Sequence, residues 1–211
     1  MKYLTKIVAW LVLAVCLCAL LGACRKLPVA VSREDGQTDI DYADIDLSEC
    51  LGAVTYKELT VTLDSAESSK EEALWAAILE NAEIKSYPED KVSYYFEQEK
   101  SSYMYLVGND EEDYRALLTL RGISEEDMMA DAKEMVAKDI ILKYIIETEQ
   151  IALTEEEKTE HYDRYVDKYV NDYGYVRSYV TVNMSDMVYE SMLYDKTMEY
   201  LFGQNTFVMP E

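Results

Sequence analysis

SEEDMMADAKEMVAKDIILKYIIETEQIALTEEE, residues 124–157, decides the fold class. It opens on Ser124 with an acid three residues later at Asp127, an N-cap followed by a side chain able to reach back to it. Met128, Ala132, Met135, Val136, Ile140, Tyr144 and Ile145 then recur at helical spacing as far as Glu149. That period places them on one face of a long helix. The stretch ends on Thr154-Glu155-Glu156-Glu157, a second capping box. One helix therefore ends, a short connection follows, and another helix begins.

Downstream, Tyr162, Tyr165, Val166, Tyr169 and Tyr173 share one face of that second helix, and Gly174 can close it. A last helix is expected over about Ser185 to Phe202, with Val188, Met192 and Leu201 inward. Upstream, Gly122 ends a short helix carrying Tyr114, Leu117 and Leu118. Gly108-Asn109-Asp110 breaks a helix that Pro88 opens, whose inner face is Val92, Tyr95, Phe96, Tyr103 and Leu106. From Ser69, the stripe Leu74, Ala77, Ile78 and Ala82 predicts one helix more. Leu59-Thr60-Val61-Thr62-Leu63 alternates, which predicts a short N-terminal strand. The fold class is mainly α, with the helical domain over 69–211 and the strand and its connection over 56–68.

The chain begins differently. Lys2 and Lys6 precede an unbroken apolar run from Ile7 to Leu20, closed by Leu21-Gly22-Ala23-Cys24. A positive start, a short apolar stretch and small residues form an export signal. The run is short for a spanning helix. Leu-Gly-Ala-Cys resembles the lipobox of bacterial lipoproteins, in which the cysteine thiol takes a lipid and becomes the first residue. The resemblance implies a signal peptide over 1–23, lipidation at Cys24 and an extracytoplasmic protein anchored to a bacterial cell membrane. Residues 24–55 then read as a lipidated acidic tether. Asp39, Asp41, Asp44 and Asp46 lie close together there, but a calcium loop starting at Asp39 would need glycine at Asp44 and glutamate at Cys50. With Cys16 and Cys18 in the leader and Cys24 lipidated, Cys50 remains, a buried or idle thiol with no internal partner.

Charge narrows the partners. The chain carries 42 acids and 20 bases, a net charge of −22. Such a surface repels phosphate backbones, so nucleic acid is not expected as a partner. His161 is the single histidine, so no multi-histidine metal site can be built. In its acid-rich helix it reads as a solvated side chain. Glu155, Glu156 and Glu157 are explained by the helix start rather than by catalysis. No phosphate loop, dinucleotide fingerprint or Gly-x-Ser-x-Gly occurs. No cofactor, metal or catalytic residue is assigned.

The order of the helix signals is more specific than any one of them. Asn81-Ala82-Glu83-Ile84 and Tyr87-Pro88-Glu89 precede one helix, and Leu120-Arg121-Gly122-Ile123-Ser124 precedes the long one. Ile140-Ile141-Leu142, Ile145-Ile146, Glu149-Gln150-Ile151-Ala152-Leu153-Thr154 and Met192-Leu193-Tyr194-Asp195-Lys196 follow in turn. From about Ser69 to Phe207 this succession resembles the C-terminal domain of trigger factor, a bacterial chaperone, with relatives in exported chaperones of the SurA and PrsA kind. Leu51-Gly52 and Tyr56-Lys57-Glu58-Leu59 resemble the family's segment before its isomerase domain. The resemblance implies a helical peptide-binding domain with arms, and unfolded or newly exported polypeptides as partners. The family's ribosome-docking signature has no counterpart, so the ribosome is not an expected partner. Only a few residues separate Leu63 from Ser69, too few for an isomerase domain, so no enzyme is expected.

Nineteen tyrosines and ten methionines suit a surface that adapts to many sequences, although helical spacing equally marks core. Tyr162, Tyr165, Tyr169, Tyr173, Tyr175, Tyr179, Met184 and Met187 are the candidate peptide contacts. The expected function is an ATP-independent, membrane-anchored holdase. The alternative is a non-catalytic envelope adaptor with one dedicated partner.

Overall fold

The computed structural model describes residues 45–65 and 68–209. Cys24, the leader and the tether as far as residue 44 lie outside the described residues. Those described belong to one unit, Asp35–Glu211.

A helical turn, α1 (Leu47–Cys50), opens the described chain, its first turn capped by the Asp46 carboxylate accepting from Ser48 N–H. Strand β1 (Leu51–Val54) follows at once, then β2 (Thr60–Thr62). Helix α2 (Lys70–Glu80) starts where the Ser69 hydroxyl accepts from Glu72 N–H. Next come β3 (Ala82–Ile84), α3 (Glu89–Leu106) and α4 (Glu111–Arg121). The long helix is α5 (Glu125–Glu149), followed by α6 (Glu155–Tyr173), α7 (Arg177–Asn183), α8 (Ser185–Gln204) and β4 (Thr206–Val208).

Both capping boxes form. Ser124 and Asp127 exchange hydrogen bonds at the start of α5, and Thr154 and Glu157 do so at the start of α6. Gly122 and Gly174 end α4 and α6 in the left-handed conformation, as a residue without a Cβ does most readily.

Among the described residues three short strands join the one expected. β1 pairs antiparallel with β3, Leu51 opposite Ile84 and Val54 opposite Ala82. β2 pairs parallel with β4, Val61 opposite Phe207. Two expectations shift as a result. Ala82 does not continue the α2 stripe: Asn81 closes that helix, its side-chain amide donating to the Ala77 carbonyl, and β1 captures the residues after it. Nor does the tether run to residue 55. Cys50 and Leu51 are buried in the main core, so Leu47–Val54 belongs to the folded body.

Among the described residues the hydrophobic interior comes in three clusters. The largest, the body, packs Leu74 and Ile78 of α2 against Val136, Ile140, Ile141 and Ile145 of α5 and Met198 and Leu201 of α8. A small one gathers Tyr114, Leu118 and Met128 where α3, α4 and the start of α5 meet. The third, the arm, joins Tyr165 and Val166 of α6, Val180 of α7, Met184, and Val188 and Met192 of α8. Two residues read as inner-face are exposed. Leu106 ends α3 at 51% exposure, and Met135, at 43%, turns away from the Ala132–Val136–Ile140 seam of α5.

Candidate functional site

The arm is built on α6. Its first turn is held twice over. Glu157 accepts from Thr154 N–H at 2.7 Å, and Lys196 of α8 reaches both Glu157 oxygens at 2.7 Å. Lys196 also donates to the Ala152 carbonyl at 2.8 Å. Lys196 and then Thr154 hold the Glu157 carboxyl down at about 2.

From there the tyrosine stripe runs along the seam with α8. The Tyr165 hydroxyl donates to Asp195 at 2.8 Å. Burial, then the Asp195 carboxylate, push that phenol above its ordinary pKa. Tyr169 shares a hydrogen bond of 2.8 Å with the Ser191 hydroxyl. Its ring lies 5.7 Å from Tyr173 and 6.4 Å from Tyr175, the two residues flanking Gly174. Tyr175 in turn stacks on Tyr179, with centroids 6.1 Å apart and planes 9° from parallel. A connected row of four rings thus leads from the α8 seam to the outer side of α7. Arg177, the first residue of α7, spans Asp163 at 2.6 Å and Asp167, one turn apart on α6.

The eight candidate contacts separate on this geometry. Tyr165 and Met184 are packed inside the arm at 6% exposure each, so they are core and offer no surface. Tyr162, Tyr169, Tyr175 and Met187 are half-buried, their rings or thioether closing the flank of the cluster. Tyr173 and Tyr179 face water, at 39% and 46% exposure. Two residues not singled out from the sequence are more exposed still, Val176 at 69% and Val182 at 75%. With Tyr179 they give three exposed apolar side chains at three-residue steps, Val176 as the extended residue just before α7 and the other two on it, the apolar edge of this segment. Such spacing in a sequence reads as a buried stripe, and this one is turned outward because Val180 takes the inward place.

A groove of about 350 Å³ opens between α6 and α8 near the base of the arm, with His161, Arg164 and Glu199 on its walls. His161 is half-buried there rather than fully solvated. Much of the groove's polar lining is already satisfied internally, by the Lys196–Glu157 pair and the Tyr165–Asp195 bond. Among the described residues no group of three or more His, Cys, Asp or Glu side chains is placed to hold a metal ion.

Residues 62–203 match the family model of the bacterial trigger factor C-terminus. The chain belongs to that family. The match runs from β2 nearly to the end of α8, so the arm and the helices of the body lie within the trigger factor C-terminal domain, while Cys50, Leu51, Tyr56 and Val61 of the body core precede the match. Neither a curated protein nor a solved structure matches the chain. What the trigger factor C-terminus brings is a helical, chaperone-type domain, and the domain found is of that type alone.

Proposed function

We propose that this chain is a membrane-anchored, ATP-independent holdase that binds unfolded or newly exported polypeptides. The exposed edge Val176–Tyr179–Val182, with Tyr173 beside it, carries the reading. It offers apolar contact on a domain of a family whose C-terminal part is of the chaperone type. Tyrosine and valine on one edge grip through area and ring faces rather than through a shaped pocket, which suits clients of varied sequence. A net charge of −22 keeps such a surface soluble and favours basic segments over nucleic acid. The body contributes rigidity, and binding needs no nucleotide and no chemistry.

The lipobox-like Leu21-Gly22-Ala23-Cys24 supports the second half of the proposal. A lipid on Cys24 would hold the domain at the outer face of the bacterial cell membrane, where exported chains emerge unfolded, and away from ribosomes. The residues up to 44 would act as the tether.

Aggregation of a reduced, unfolded client in the presence of the full chain in mild detergent tests the first half. Suppression at near-stoichiometric ratio is expected, and no suppression at several-fold molar excess would refute it. Cys24→Ser tests the second half. The protein should leave the membrane fraction with its client binding intact.

A further inference from the structure

α7 is too short to hold itself. A seven-residue helix is far below the length at which an isolated helix persists in water. It has no side-chain N-cap, and Val180 is its one buried residue. One inward side chain anchors a helix without fixing its rotation about its own axis. Yet the apolar edge works only if Val176, Tyr179 and Val182 point outward together.

Two attachments on α6 supply what is missing, and the second is itself tied to α8. The Arg177 guanidinium bridges Asp163 and Asp167, so a planar fork is seated across one full turn of α6. A fork on two carboxylates constrains direction as well as distance. Further along α6, the Tyr169 hydroxyl is tied to Ser191 of α8, and its ring supports Tyr175, which stacks on Tyr179. Gly174, at φ 74°, lets the chain reverse between Tyr173 and Tyr175 so that both rings meet Tyr169.

We propose that Arg177 and Tyr169 are positioning residues for client binding, holding α7 in the orientation that presents its apolar edge before any client arrives. This rests on the reading that the edge is the contact surface. Neither residue needs to touch the client. A preset edge spares the client the cost of ordering it, and an edge ordered only part of the time weakens apparent affinity by that fraction.

The test uses the full chain and a fluorescent, reduced and iodoacetamide-blocked lysozyme as unfolded client. Arg177→Ala should speed amide exchange over 175–183 and weaken client affinity about threefold to tenfold, with thermal melting nearly unchanged. Tyr169→Phe keeps the ring, loses the tie to Ser191 and should show a smaller effect of the same kind. The Arg177 fork is exposed to salt, so high ionic strength should raise exchange over 175–183 in the native chain and leave Arg177→Ala unmoved. Tyr179→Ala and Val182→Ser are the contact controls. If they weaken binding while Arg177→Ala and Tyr169→Phe leave exchange and affinity unchanged, the positioning role is overturned and the contact surface stands. If the contact controls also bind normally, the edge is not the contact surface and both fall.

Discussion

The two halves of α8 lie in different surroundings. Toward its C-terminus, Met198 and Leu201 sit in the body with Leu74, Ile78, Ile140, Ile141 and Ile145, and these last five are fully shielded from water. Toward its N-terminus, Val188 and Met192 sit in the arm, where the partly buried neighbours include Tyr162, Tyr169, Tyr175 and Tyr189. Branched aliphatic side chains fill space on all sides and leave no polar atom to satisfy. A tyrosine must keep its hydroxyl paired or wet, and here Tyr165 uses Asp195 and Tyr169 uses Ser191. The three helices of the arm pack on one another, and Tyr173, Val176, Tyr179 and Val182 are left in contact with solvent. The same helix serves a sealed core at one end and a tyrosine-rich, partly open cluster at the other.

If that division holds, core deletions should differ in reach. Ile140→Ala opens a cavity in the body and should cost about 2–5 kcal/mol of global stability, read as a lower midpoint in urea at unchanged slope. Val166→Ala in the arm removes a buried side chain of smaller size, for about 1.5–3 kcal/mol, and its loss should stay local. Hydrogen exchange should rise over α6 and α7 while the body keeps its protection. Equal exchange increases in body and arm for Val166→Ala would show one cooperative unit and abolish the distinction.

The helix starts were legible because a capping box is a local event, complete within four residues, as at Ser124–Asp127 and Thr154–Glu157. Of the strands, β2 was legible in the alternation of Leu59–Leu63, and the other three were not. β4 is three residues long, and its partner β2 lies at the other end of the described chain, so no local pattern in Thr206–Val208 announces the pairing. For the same reason Leu47–Val54 read as tether, since its burial depends on β3 and on the body. α7 was missed because seven residues show too little of a helical period. Within the arm, periodicity found the right stripe but could not sort Tyr165 from Tyr173, which share a face of α6 and differ in whether α8 covers them.

Acid should loosen body and arm in one pH window but through separate carboxylates. Glu149, the last residue of α5, accepts the Tyr56 and Tyr200 hydroxyls at 2.5 Å each and pairs with Lys57 at 2.5 Å. Lys57 first, then Tyr200 and Tyr56, hold its carboxyl at about 2, as Lys196 does for Glu157. A carboxyl whose pKa is lowered on folding stabilises fully above its ordinary value of 4.5. That contribution fades as pH falls from there toward 2. Native stability should therefore be flat above about pH 5 and decline below about 4.5. Glu149→Gln should flatten the decline in global melting. Glu157→Gln should leave the global curve nearly as steep and flatten only the acid-induced exchange of α6. Identical curves for the two variants would mean that the arm and the body are fastened through the same contacts.

The smallest effect on stability should come with the largest effect on binding, and Tyr165 against Tyr179 isolates it. The sequence presents both as tyrosines of one candidate surface, but one is core and the other is 46% exposed. Tyr165→Phe keeps the packed ring and loses the bond to Asp195, costing about 1 kcal/mol of arm stability with client affinity unchanged. Tyr179→Ala removes a ring that faces solvent, so stability should stay within about 0.5 kcal/mol of the native chain. Client affinity should nonetheless fall severalfold, because the ring supplies contact area that folding does not use. The opposite result, with Tyr165→Phe impairing binding and Tyr179→Ala leaving it intact, would move the contact surface off α7 and toward the groove between α6 and α8. There His161 and Arg164 would become the residues to vary.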